Sequence, residues 1–117
     1  MSYLDVVVIP VSADRLDEYK KLSRKISKMW VSHGAVSYVD TLADDVPEGK
    51  TTDFYRSVKL KPGEVLGLGV ATYKTRAHRD KVVKKVMADP MMSGPPGGMP
   101  FDGKRMIFGG FESIVEA

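Results

Sequence analysis

The run Tyr3-Leu4-Asp5-Val6-Val7-Val8-Ile9-Pro10-Val11 decides how the rest of the chain is read. Four consecutive β-branched residues, Val6 to Ile9, put apolar groups on both faces of an extended segment. That is the pattern of a strand covered on both sides. Pro10 cannot donate a ladder hydrogen bond, so the strand ends near it.

Beyond it, Leu16, Tyr19, Leu22, Ile26, Met29, Trp30 and His33 recur at steps of three and four, one apolar stripe on a long helix. Ser12 and Asp14 are its candidate N-caps, and Gly34 takes the position just past its end. Residues 35–42 read as a second strand. Asp44-Asp45-Val46-Pro47-Glu48-Gly49-Lys50 is acidic and turn-rich; it lacks the Gly-centred spacing of a calcium loop and reads as a turn, with no metal. Residues 54–60 read as a short extra strand. Residues 65–73 form a longer one, with Gly67 and Gly69 on one face, which marks a face that something approaches closely. Thr75 is the N-cap of a second helix over 76–88, and Asp89-Pro90 stops it. Residues 91–103 are a Pro- and Gly-rich loop. The last strand spans 104–115, where Gly109-Gly110 invites a bulge.

The order strand, helix, strand, strand, helix, strand is a split β-α-β arrangement, an α+β fold in one domain over residues 1–117. Two helices cover one face of a sheet. The other face would be a large apolar patch, which monomers avoid. A second copy packed face to face would cover it, giving a two-fold homodimer with a barrel-like interior.

Composition narrows the chemistry. With no cysteine there are no disulfides, thiolate zinc sites or thiol nucleophiles. A net charge of +3, from 18 basic and 15 acidic residues, is too balanced to imply nucleic acid. There is also no Asn or Gln to read adenine edges. Lys74, Arg76, Arg79, Lys81, Lys84 and Lys85 therefore read as a solvated helix face. No run approaches the roughly 20 apolar residues of a membrane helix. The start lacks a signal-peptide pattern, so the expected location is the cytoplasm, away from membranes. The clustered methionines read as gap-fillers in core and loop.

Several stretches resemble a known family: Asp44-Asp45-Val46-Pro47-Glu48-Gly49-Lys50, Arg76-Ala77-His78-Arg79-Asp80, Lys85-Val86-Met87-Ala88-Asp89-Pro90, and the long run from Met99-Pro100-Phe101-Asp102-Gly103 to Gly109-Gly110-Phe111-Glu112. They resemble the YbaA-like proteins, an uncharacterised bacterial family with a domain of unknown function. The resemblance implies a ferredoxin-like βαββαβ protomer, an antiparallel sheet with two helices on one face, in the dimeric α/β-barrel group. It implies no catalytic residues and no cofactor. Haem-degrading members of the wider group share an Asn, Trp and His set. This chain offers Trp30, His33 and His78 but no Asn.

Two function classes follow. One is a small-molecule binding module that uses the barrel cavity. The other is a cofactor-independent enzyme of the monooxygenase or isomerase type on a small organic substrate. In either case His78, in the first turn of the second helix, is the candidate base or hydrogen-bonding group. Arg79 is its charge partner, and Asp102 orients one of them. Lys104 and Arg105, where the loop enters the last strand, complete the candidate ligand-binding set with Trp30 and His33. The competing structural reading pairs Arg79 with Asp102 and pins the loop to the helix.

Overall fold

A computed structural model describes residues 2–117. Strand β1 (Tyr3–Ser12) leads through a 3-10 turn into α1 (Leu16–Ser32). Strand β2 (Ser37–Leu42), the short helix α2 (Phe54–Ser57) and strand β3 (Glu64–Tyr73) follow. Then come α3 (Arg76–Met87) and β4 (Ile107–Glu112). The strands form one antiparallel sheet in the order β2-β3-β1-β4. The architecture is α+β, as the element order predicts.

Four local expectations are corrected. Residues 54–60 do not form a strand. The Asp53 carboxylate accepts the Arg56 N–H at 2.8 Å and the Gly49 N–H at 3.2 Å, and this cap starts a helical turn instead. Ser12 and Asp14 do not cap α1, because the 3-10 turn Ala13–Arg15 intervenes and Arg15 precedes the helix without a side-chain cap. The last strand is shorter than 104–115, because a turn closed by Asp102 occupies the residues before Ile107. Gly109-Gly110 makes no bulge: Val6 pairs with Gly109 and Asp5 with Gly110 in unbroken register. Gly110 is small for another reason. A Cβ there would collide with the Tyr3 hydroxyl and stand 2.8 Å from Arg79 Nη1.

Other expectations hold. Thr75 Oγ1 accepts the His78 N–H at 3.1 Å and caps α3. Gly34, at φ +115°, ends α1 in a backbone conformation that favours glycine.

The faces of the sheet differ. On one side Met29, Val82 and Val86 pack on Ala71 and Tyr73, while Tyr19 packs on Ile9 and Val11. On the other side only one end is covered, where Val58, Tyr55 and Leu60 lie over Val8 and Leu66. The rest of that face carries Val39, Ile107 and Phe111, exposed by 55%, 44% and 59%.

Candidate functional site

The register sets what meets under the helices. Asp5 lies opposite Ala71, which lies opposite Tyr38; Gly69 lies opposite Asp40. Side chains of a strand alternate, so Asp5, Val7, Tyr38, Asp40, Ala71 and Tyr73 share the helix-facing side. Gly69 and Ala71 give that face a low floor. The end of α1 is tied to both ends of α3. His78 Nε2 bonds Gly34 O at 2.8 Å, and His33 Nε2 bonds Asp89 Oδ2 at 2.8 Å. Away from those ties a cavity of about 770 Å³ opens between the sheet and α1 and α3. It lies within one chain, where the sequence reading places the ligand inside a dimer barrel.

The long loop closes one side. Ser12 N–H donates to Pro100 O at 3.0 Å and Asp102 N–H to Pro10 O at 3.2 Å, so residues 100–102 lie along the end of β1. Arg15 holds Met99 O and Gly98 O, each at 2.9 Å. Met92, Met99 and Met106 reach the cavity from this side, the gap-filling role that their chemistry predicts.

Two polar corners interrupt the apolar walls. In the first, Trp30 Nε1–H donates to the Tyr73 hydroxyl at 2.8 Å, and that hydroxyl donates to Asp5 Oδ2 at 2.9 Å. Arg79 Nη1 bonds Asp5 Oδ1 at 2.7 Å, and its Nε bonds Asp80 Oδ1 at 2.8 Å. The guanidinium also sits over the Tyr3 ring, 5.0 Å from its centre. Burial pushes the Tyr73 hydroxyl well above the ordinary phenol range. The bond from Trp30 works against this and the Asp5 charge adds to it. The bond to Asp80, ahead of the nearby Asp5 carboxylate, holds Arg79 firmly protonated.

In the second corner, Asp40 Oδ2 accepts from the Tyr19 hydroxyl at 2.8 Å and the Ser23 hydroxyl at 2.7 Å. Its Oδ1 accepts the Thr41 N–H at 3.1 Å. Among the described residues no cation pairs with Asp40. The Tyr38 hydroxyl stands beside it, and burial, followed by the Asp40 charge, pushes its pKa up to about 12. The glycines of β3 are approached most closely by Ile9 at Gly67 and Val7 at Gly69, and next by polar groups: the Tyr19 hydroxyl at Gly67, and Asp40 Oδ1 and the Tyr38 hydroxyl at Gly69.

Of the residues singled out from sequence, Trp30 and Arg79 line the cavity. His78 is outside the cavity lining: its Nδ1 accepts the Lys74 N–H at 3.0 Å and its Nε2 donates to Gly34 O, which ties α3 to the end of α1. His33 is likewise occupied with Asp89. Asp102 does not pair with Arg79 but with Arg105 Nε at 2.8 Å, because the turn it closes faces away from α3. Arg105 grips the Glu64 carboxylate through two nitrogens and reaches Lys59 O at 2.9 Å. Lys104 is exposed and gives Asp102 its backbone N–H at 3.0 Å. These three strap the start of β3 to the end of the loop, outside the cavity. The residues of the polar corners that sequence reasoning passed over are strand residues: Asp5, Tyr38, Asp40 and Tyr73.

Residues 2–103 match the family described as "Protein of unknown function (DUF1428)". The chain is 41% identical over 116 residues to the "Uncharacterized protein YbaA" of Escherichia coli strain K12, covering 99% of both chains. It matches the protein of the same description from Shigella flexneri equally well, at 41% identity and 99% of both chains. Among solved structures it resembles the de novo designed protein Foldit4, with a TM-score of 0.51, 9% identity, and 97% of this chain and 99% of that chain covered. This last likeness is one of fold alone. The chain belongs to the DUF1428 family of proteins of unknown function.

Proposed function

We propose that this DUF1428 member is a small-molecule binding protein whose site is the cavity between the sheet and its two long helices. The observation that carries the reading is the cavity itself. At about 770 Å³ it has the size of a ligand pocket, and it combines apolar walls with a few convergent polar groups. A thermal-shift screen with small aromatic and alicyclic compounds tests it, since a ligand of the native state raises its melting temperature. Hits should stabilise the wild-type protein and lose their effect in Leu22→Trp, which fills the cavity from α1. Hits that persist in that variant, or no hits at all, overturn the reading.

The protomer is read as ferredoxin-like, and the working unit as a homodimer with the open sheet faces packed together in an α/β barrel. Support comes from Val39, Ile107 and Phe111, apolar side chains standing free on the uncovered face. Sedimentation should give twice the mass of 12.9 kDa, and Phe111→Glu should give the single mass. A wild-type protein that sediments as a monomer at micromolar concentration overturns the dimer.

A second reading, an acid–base enzyme without a cofactor, is favoured by one observation: two carboxylates, Asp5 and Asp40, open on the same apolar cavity. Turnover of an activated carbonyl or quinol-like substrate, lost in Asp40→Asn, would establish it over simple binding.

A further inference from the structure

We propose that the corner formed by Tyr38, Asp40 and Gly69 recognises a neutral hydroxyl group on an aromatic ligand, so that the ligand class is a phenol. The inference rests on the binding reading above and gives it a chemistry. The missing side chain of Gly69 leaves a low floor beside which two polar atoms stand. A Cβ there would meet Val7 Cγ1 at 3.1 Å, Asp40 Oδ1 at 3.4 Å and the Tyr38 hydroxyl at 3.5 Å, so both polar groups border the space over this glycine. Asp40 is held in place through Oδ2 by Tyr19 and Ser23, while Oδ1 takes only the neighbouring Thr41 N–H. An ionised carboxylate oxygen accepts more than one bond, so Oδ1 keeps accepting capacity on the cavity side. The Tyr38 hydroxyl, protonated throughout the physiological range, keeps contact with solvent and makes no hydrogen bond to another described residue.

The corner therefore offers one strong acceptor and one donor to a single ligand atom. A hydroxyl, which donates one hydrogen and accepts in return, satisfies both. A carboxylate would bring a second negative charge against Asp40, and of the two cations that line the cavity, Arg79 is already bonded to Asp5 and Asp80 while Lys84 is exposed to solvent. An ammonium would satisfy Asp40 but leave Tyr38 without an acceptor, and it would lose its own hydration among apolar walls. A bare hydrocarbon would leave both groups unmet. The ring is accounted for by Trp30, whose indole lies 5.4 Å from the Tyr38 ring, and by Ile26 and Met99 across the cavity.

Trp30 is the only tryptophan of the chain and lines the cavity, so its fluorescence, excited at the red edge where phenols absorb little, reports binding. Four probes of one shape separate the possibilities: para-tert-butylphenol, para-tert-butylbenzoate, para-tert-butylbenzylammonium and tert-butylbenzene. The phenol should bind at least about tenfold more tightly than the hydrocarbon, the change expected for hydrogen bonding to a charged group. Both ions should bind more weakly than the phenol. Tyr38→Phe and Asp40→Asn should each bring the phenol close to the hydrocarbon and leave the hydrocarbon unchanged. If Asp40→Asn does not fold, Tyr38→Phe, which keeps the ring, decides. Equal binding of all four probes overturns the hydroxyl proposal and leaves the cavity reading standing. Preference for the benzoate overturns it in favour of the Arg79 corner. Binding of no probe, by fluorescence and by isothermal titration, overturns both.

Discussion

Two aspartates on the same face of the sheet border one cavity and live in opposite surroundings. Asp5 is enclosed by partners that satisfy it: a guanidinium on one oxygen and the Tyr73 hydroxyl, backed by Trp30, on the other. Among the described residues Asp40 has only hydroxyls and a backbone N–H as partners, and beside it stands a phenol hydroxyl that bonds none of them. The first corner ties α1, β1, β3 and α3 together through one carboxylate. The second holds its carboxylate still without neutralising it. The difference separates a polar group spent on the fold from one left available to a ligand, a distinction that residue type alone does not make.

The largest effect should come from removing the shared partner of the first corner. Asp5→Ala leaves a half-buried Arg79 and the buried Tyr73 hydroxyl without their acceptor. We expect a loss of about 2–3 kcal/mol, toward the low end for a broken ion pair because both side chains keep some solvent contact. That corresponds to a melting temperature lower by about 10 °C for a domain of this size. A loss below about 1 kcal/mol would mean that the first corner is no more structural than the second.

Tyr73→Phe cuts the same corner at its middle. It removes one hydroxyl and leaves Trp30 Nε1 and Asp5 Oδ2 each short of a partner, for an expected cost of about 1–2 kcal/mol by denaturant unfolding. Tyr38→Phe is its counterpart in the second corner. Its hydroxyl has no partner to lose, so stability should change by less than about 0.5 kcal/mol. Equal costs for the two tyrosines would erase the contrast.

The element order, the long helix and the Thr75 cap were legible because their signals are local: a period of about four, a stop, a cap. The short helix over Phe54–Ser57 was not, since a single turn has too little period to separate from a strand and is started by one side-chain cap, Asp53. The site divided in the same way. Gly67 and Gly69 announced a close approach, and Ile9 and Val7 make it, with Tyr19, Tyr38 and Asp40 next to them. Which polar residues stand there depends on β2 pairing with β3 in one register, and a slip of one residue would turn Tyr38 and Asp40 to the other face. Asp5 did carry a signal, a lone charge within an apolar strand. His78 drew attention by residue type and helix position, yet one ring nitrogen is taken by the local Lys74 N–H and the other by Gly34 O, whose proximity arises only when α1 ends against α3.

Arg105 extends the comparison to acid. The bonds it makes hold Glu64 and Asp102 below their ordinary values of 4.5 and 3.8, the side-chain bond from Arg105 being the main cause in each. A carboxyl depressed in the folded state lends stability above its unfolded pKa and loses it as pH falls through the folded pKa. The melting temperature of the wild-type protein should therefore fall from near pH 5 downward, and Arg105→Met should flatten that slope. Ligand binding at the cavity should not change in the same variant, since the strap lies outside it. An unchanged acid slope would assign the acid sensitivity to another group.

The smallest expected effect is an interaction energy. Asp5→Asn removes the charge that Arg79 pairs with, while Asp40→Asn keeps an oxygen for Tyr19 and Ser23 and so costs little. The two aspartates lie on strands separated by β3 and two residues apart along the sheet, which puts their backbones roughly 12 Å from each other. At that separation, with no shared partner, their costs should add to within about 0.5 kcal/mol in the double variant. The two corners do share a physical neighbour, however: Trp30 donates to Tyr73 in one and packs on the Tyr38 ring in the other. If the indole transmits a shift between them, the double variant will depart from additivity, and Trp30→Phe will restore it. Additivity would make them independent sites in one cavity. A coupling above about 1 kcal/mol would merge them into a single polar network, and a ligand bound at Asp40 would then be felt at Arg79.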